Sequence, residues 1–161
     1  MTELTLSKVP SVNVGLLIRT APEQVFEALV EPAITTRFWY TRSSGPMSPG
    51  AQLRWDWEMY GVSSEVSVHH VEPDRRIGFS WNSYDPTAPT TVDIRLDPRP
   101  GGATYVQVTE TGFSGDGDTV VQQVAASTEG FTFVLCALKA WLEHELVLRV
   151  VEDAHPDQRV A

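Results

Sequence analysis

His70 and Glu110 are the residues whose type and spacing best suit proton transfer in this chain. Each closes an alternating run: Val66, Val68 and His70 in "SSEVSVHHV", and Val106, Val108 and Glu110 in "ATYVQVTE". A period of two sends such residues to one face of a strand. On that face they would join large rings, Trp55 and Trp57 from "AQLRWDWEM" and Phe79 and Trp81 from "RRIGFSW". Apolar surroundings disfavour the charged form of a carboxyl or an imidazole, which is how an acid or base is made ready near neutral pH. Meeting across a cavity, the two could polarise a carbonyl or abstract a proton. A strand end open to water, or a bulge that reverses the parity, would leave them apart instead.

Other chemistries find weaker footing. His69 and His70 are neighbours, and neighbours on a regular strand point to opposite faces, so they share no ion unless a bulge intervenes. "HELVL" at 144–148 begins like a zinc-protease helix but carries Leu148 where the second histidine belongs, and "GDGD" lacks the further ligands of a calcium loop. No metal and no cofactor is expected. Cys136, between Leu135 and Ala137, is the one cysteine; with no cation or helix start beside it, a buried small hydrophobe is expected. Nucleophile elbows, phosphate-binding glycine loops and dinucleotide fingerprints do not occur, and "PGG" at 100–102 fits a hairpin turn.

The elements that must position these residues read as follows. "SVNVGLLIR" (11–19) alternates like a strand. "TAPEQVFEALVEP" has a capping Thr20, Pro22 in the first turn and a stripe of Val25, Phe26 and Leu29, so it reads as a helix ended by Pro32. "AITTRFWY" continues as a second short helix, and "SSGPMSPG" (43–50) breaks the pattern. Five strands follow, separated by "EPDR", "NSYDPTAP" and "DPRPGG" among other turns. The last segment, from an N-cap at Asp118 to about Arg149, has Val124, Phe131, Leu135, Leu138 and Leu142 at helical spacing. Gly130 inside it implies either a bend or a close approach to the backbone. "EDAHPDQRVA" reads as a polar tail.

The fold class is therefore α+β. A six-stranded antiparallel sheet with one apolar face needs a cover, and only the C-terminal helix is long and apolar enough to supply it. A twisted sheet cannot touch a straight helix along its full length, so a cavity between them is the expected by-product. Trp55, Trp57, Phe79 and Trp81 would line it from the sheet, and Phe131 and Leu135 from the helix. Phe113 adds a ring at the end of the last strand. Trp39 and Tyr40 would stand at the mouth, gating entry or packing beneath the cover.

Taken in order, "IRTAPEQVFEALVEP", "FWY", "VEPDRRIGFSW", "GGATYVQVTETGF" and "EGFTFVLCALKAWLEHE" resemble the START/Bet v 1-like (SRPBCC) superfamily, and within it the branch related to the Hsp90-ATPase-activator C-terminal domain. The resemblance spans about residues 11–147. It implies a helix-grip fold, with the sheet wrapped around the C-terminal helix, and a family range of hydrophobic-ligand carriers, cavity cyclases or hydrolases, and a co-chaperone domain. One domain over 1–161 is expected, with a core at 11–149 and a tail at 150–161.

Composition narrows the partners. The 161 residues include 21 acidic and 12 basic ones, a net charge of −9, so phosphate backbones and anionic membranes would be repelled. The start "MTELTLSKVP" lacks a basic, apolar export signal, and a cytoplasmic protein is expected. The leading expectation is a binder of a small hydrophobic molecule, aromatic or lipid-like, with His70 or Glu110 orienting a polar group. A cyclase- or hydrolase-type enzyme using that pair is the second reading. A chaperone-modulating module is the third; it would use the outer sheet surface around Arg54, Asp56 and Glu58, which offers no special encouragement. Oligomeric state stays open, a homodimer included.

Overall fold

A computed structural model describes residues 2–82 and 87–160. Strand β1 (Val12–Ile18) leads into helices α1 (Pro22–Val30) and α2 (Pro32–Thr35). Strands β2 (Arg42–Ser43), β3 (Gln52–Trp57), β4 (Val62–Glu72), β5 (Arg76–Trp81), β6 (Thr90–Arg99) and β7 (Ala103–Thr111) follow, with a 3-10 turn at Glu58–Tyr60. Helix α3 (Gly117–His144) and the short helix α4 (Val150–Asp153) complete the chain, with a last 3-10 turn at Pro156–Gln158.

The sheet is antiparallel throughout, in the order β1-β7-β6-β5-β4-β3-β2. It holds seven strands, one more than the alternation shows. The extra strand, β2, is a two-residue edge pairing Arg42 with Asp56 and Ser43 with Trp55, too short to carry a period of its own. Gly101 and Gly102 both adopt positive φ in the β6–β7 turn, a conformation that costs glycine nothing. The "NSYDPTAP" break includes residues 83–86, which lie outside the described residues.

Local signals explain most element ends. Pro22 occupies the first turn of α1, but Ala21 rather than Thr20 stands at its N-cap. Thr20 is buried instead, its carbonyl accepting from the Thr104 hydroxyl at 2.8 Å. Pro32 opens α2 directly after α1 ends. At α3 the N-cap is Asp116, not Asp118: the Asp116 carboxylate accepts the Thr119 N–H at 2.7 Å, which satisfies an otherwise orphaned donor. The helix stops at His144, before Arg149, because Glu145 takes a left-handed conformation at φ 53°.

The inner face of the sheet carries Trp55, Val66, Val68, Ile77, Phe79, Val92, Ile94, Val106 and Val108, all buried. Helix α3 covers it with Phe131, Val134, Leu135 and Leu138. Its C-terminal half is tied to the β1 edge, where the Lys139 ammonium donates to the Leu17 carbonyl at 2.8 Å and the Arg19 N–H donates to Glu143 at 2.9 Å. Cys136 is exposed, contrary to expectation: the buried stripe of α3 runs through 131, 134, 135 and 138, and position 136 falls on the opposite side. The segment after α3 is not a free polar tail. Val150 and Val151 pack on the core, and the Val160 N–H donates to the Met59 carbonyl at 2.9 Å.

Asp56, on the outer face, is buried among its partners. It accepts from Ser63 at 2.5 Å, Arg42 at 2.8 Å and Arg54 at 3.0 Å. The Ser63 hydroxyl, then the two guanidinium groups, hold its carboxyl far below the usual carboxylate range. A folded state that binds this proton less readily than the unfolded chain is stabilised above the unfolded pKa and loses that stability as pH falls through the folded value. Asp56→Asn should therefore destabilise by about 1–2 kcal/mol at neutral pH, both arginines being largely exposed. The deficit should shrink as pH falls from about 4 towards 2. Urea midpoints of both proteins across that range check it.

Candidate functional site

Rings accumulate where β3 and β5 face α3. Trp55 is fully buried at the centre, with Tyr40 stacked on it at 4.6 Å and Trp39 and Phe79 at 4.9 and 5.2 Å. Trp81 lies 5.5 Å from Phe79 and 5.8 Å from Phe131 of the helix. Trp39 touches the same helix ring at 5.8 Å. Burial pushes the Tyr40 phenol up to about 12, so it stays neutral and serves as a stacking surface.

The cluster stops short of filling the space beneath the helix. A pocket of about 260 Å³ remains, partly open to solvent. Trp39, Trp57, Trp81 and Phe131 form its aromatic walls. The β3–β4 connection supplies Tyr60, the start of β4 supplies Val62, Ser63 and Ser64, and α3 supplies residues between Ala126 and Val134, Ser127 and Gly130 among them. Val151, Ala154, His155 and Gln158 of the C-terminal segment close one side. That segment is held by Tyr60, whose hydroxyl lies 2.6 Å from the Val151 carbonyl and accepts the His155 N–H at 3.2 Å.

Gly130 borders this pocket, and a Cβ built on it would meet nothing within 4 Å. No backbone approaches closely there, contrary to one of the two expectations. The missing side chain is part of the open space.

The polar centre of the site is Glu110, which is wholly buried. One carboxyl oxygen accepts from Trp81 Nε1 at 2.9 Å and from the Thr90 hydroxyl at 2.5 Å. The other accepts the Ser127 hydroxyl in a short hydrogen bond. Four elements (β5, β6, β7 and α3) thus meet at one carboxyl group. Trp81 and Ser127 line the pocket, so Glu110 stands directly behind its wall.

The expected site residues divide accordingly. Trp39, Trp57, Trp81 and Phe131 line the pocket. Tyr40, Trp55, Phe79 and Leu135 are buried behind it as packing. Phe113 lies elsewhere, beside a separate hollow of about 320 Å³ between the N-terminal segment and the start of α3. His70 is a correction. A bulge between Val68 and His70 sets an extra β4 residue against β5, so Val68 pairs with Phe79 and His70 with Gly78. Parity reverses and His70 turns to the outer face, into the space left by Gly78, where a Cβ would lie 3.2 Å from that of the histidine. It stands 3.4 Å from Glu72, while His69 pairs with Ser80 at 2.8 Å. His70 and Glu110 are on opposite faces, and the acid–base pair is not assembled.

Sequence reasoning missed Ser127 and the C-terminal wall. Ser127 had a signal: it falls three residues after Val124 and four before Phe131, a polar interruption of an apolar stripe. The wall had only Val150-Val151 ahead of an otherwise polar stretch.

Known structures share this architecture. The protein SSP2350 from Staphylococcus saprophyticus superposes with a TM-score of 0.73 at 28% identity, over 87% of this chain and 96% of that one. DynU16, a putative protein in the dynemicin biosynthetic locus, gives a TM-score of 0.70 at 25% identity over 85% of this chain, which spans only 48% of DynU16. The Aha1 dimer from Colwellia psychrerythraea gives 0.72 at 19% identity, over 84% of this chain and 97% of that one, a likeness of fold alone. No curated protein matches the sequence. Residues 19–143 match the family described as Activator of Hsp90 ATPase homolog 1-like protein, well over half of the chain. The chain belongs to that family.

Proposed function

We propose that this protein binds a small, flat, apolar molecule in the pocket between the sheet and α3. The observation that carries the proposal is the unfilled space walled by Trp39, Trp57, Trp81 and Phe131 beneath α3. Interiors normally close such gaps, because side chains lining a void lose their dispersion contacts. The wall rings brace one another, Phe131 lying 5.8 Å from both Trp39 and Trp81, and Trp55 and Phe79 back them from the core, which keeps the walls from collapsing. Size sets the guest: a cavity of about 150 Å³ holds benzene, so about 260 Å³ suits a fused bicyclic ring system. Burial of its faces would drive binding at about 25 cal/mol per Å². The resemblance to DynU16, at 25% identity, is compatible with a small-molecule role.

Gly130→Leu tests this. The new side chain projects into the pocket and also relieves a helix interior of glycine, which should raise stability by about 0.5–1 kcal/mol. Azulene, a bicyclic hydrocarbon that quenches indole fluorescence, should quench the wild type saturably. The variant should bind it at least roughly tenfold more weakly, the penalty of overpacking an occupied site. Equal quenching of both proteins would place the guest elsewhere.

A further inference from the structure

Two buried serines interrupt the apolar wall, one from each side, while the third lining serine, Ser63, is exposed and bonded to Asp56. Ser127 on α3 and Ser64 on β4 both line the pocket, and both are more than nine-tenths buried. Their hydrogen-bonding states differ. Ser127 spends its one hydrogen on Glu110, so towards the pocket it can offer only lone pairs. The Ser64 hydroxyl has no hydrogen-bond partner among the described residues. An unpaired buried hydroxyl is unfavourable, and a polar guest atom would remove that cost. Trp81 Nε1, also at this wall, is committed to Glu110 and cannot turn to a ligand.

Charge restricts the guest further. Glu110 lies behind the Ser127 wall and Glu129 is on the pocket lining, in a chain of net charge −9. A carboxylate or phosphate would be repelled by both groups.

Resting on the binding function proposed above, we infer that the pocket selects an uncharged aromatic molecule bearing a hydroxyl or amine hydrogen, which it donates to Ser127. Glu110 is then a positioning residue. It never touches the guest, but by holding the Ser127 hydrogen it fixes the serine as an acceptor. Its carboxyl thereby sets which hydrogen-bonding sense Ser127 reads, while Ser64 can still pair with the oxygen of the same guest.

Glu110→Gln gives this a sharp consequence. The amide has one oxygen, and two donors, Trp81 and Thr90, already compete for that side. Its NH2 group therefore faces Ser127, which must accept from it and release its own hydrogen towards the pocket. The preference should invert from donor to acceptor.

The experiment is a fluorescence titration with four ligands of one shape: naphthalene, 2-naphthol, 2-methoxynaphthalene and 2-naphthoate. The wild type should bind 2-naphthol about tenfold tighter than naphthalene or 2-methoxynaphthalene, and 2-naphthoate weakest of all. In Ser127→Ala the ratio of 2-naphthol to naphthalene affinity should fall to about one, whatever shift the two ligands share. In Glu110→Gln, 2-methoxynaphthalene should overtake 2-naphthol. The Glu110→Gln result decides the matter even if Ser127→Ala fails to fold. Equal wild-type affinity for naphthalene and 2-naphthol, or no change of order in Glu110→Gln, would overturn the inference and leave the binding function standing. Failure of all four ligands to bind would overturn both.

Discussion

Trp55→Ala is expected to cost about 3–5 kcal/mol, the range for deleting a large buried aromatic side chain. That is a large share of the roughly 5–15 kcal/mol that holds a domain together. Trp55 has no exposed surface and touches four other rings, Trp39, Tyr40, Phe79 and Trp81, between 4.6 and 6.1 Å. Aromatic pairs contribute about 0.5–1.5 kcal/mol each beyond the area they bury. The urea midpoint should fall with the m-value unchanged. Ligand affinity should fall too, although Trp55 is not on the pocket wall. Trp39 and Trp81 both lean on it, and without that support they can relax into the pocket. Trp55→Phe should recover part of both losses. A variant as stable as the wild type would mean that the ring cluster does not hold the fold.

The second large effect is expected at Glu110. Glu110→Ala strands three buried donors at once, Trp81 Nε1 and the hydroxyls of Thr90 and Ser127. An unsatisfied buried donor costs about 1–3 kcal/mol, and with some water entering the gap the total should be about 4 kcal/mol. Glu110→Gln preserves the shape and most of the partners, and should cost roughly 1–2 kcal/mol. Thermal melts of the two variants measure this directly. The ordering carries the information: alanine far worse than glutamine means a network that joins β5, β6, β7 and α3. Equal, small losses would mean that the carboxyl group is dispensable to the fold.

Much of this arrangement was legible in the sequence, for identifiable reasons. Period-two runs such as Ile77, Phe79, Trp81 and Val92, Ile94, Leu96 fixed strand faces, because a half-buried antiparallel sheet forces alternation. The covering role of α3 followed from its apolar stripe and from the need of the sheet for a partner. Trp39, Trp57, Trp81 and Phe131 were read as cavity residues and line the pocket. Glu110 was placed inward by parity and is inward. His70 failed by the same rule, since one extra residue in β4 reverses every side chain beyond it and leaves no mark in the composition. Phe113 lies past the end of β7 and borders the separate hollow instead.

Other features depend on tertiary contacts that local patterns do not encode. The wall formed by Val151, Ala154 and His155 exists because Tyr60, some ninety residues earlier, captures the backbone there. The N-cap at Asp116 rather than Asp118 was a choice between two carboxylates two residues apart, settled by which one reaches a free N–H. The commitment of Ser127 to Glu110 joins a helix to a strand across the core, and it emerges only once the two elements are packed.

The central claim is that a bicyclic guest enters beneath α3 among the tryptophans. The five indole N–H signals of a 15N-labelled sample test it most directly, because the protein contains its own control. Trp39, Trp57 and Trp81 line the pocket, whereas Trp141 sits outside it under the Arg37 guanidinium, 4.3 Å away. On titration with naphthalene, the indole signals of the three lining residues should shift and saturate together while that of Trp141 stays in place. Shifts at Trp141 alone, or none at the three lining indoles, would contradict the account.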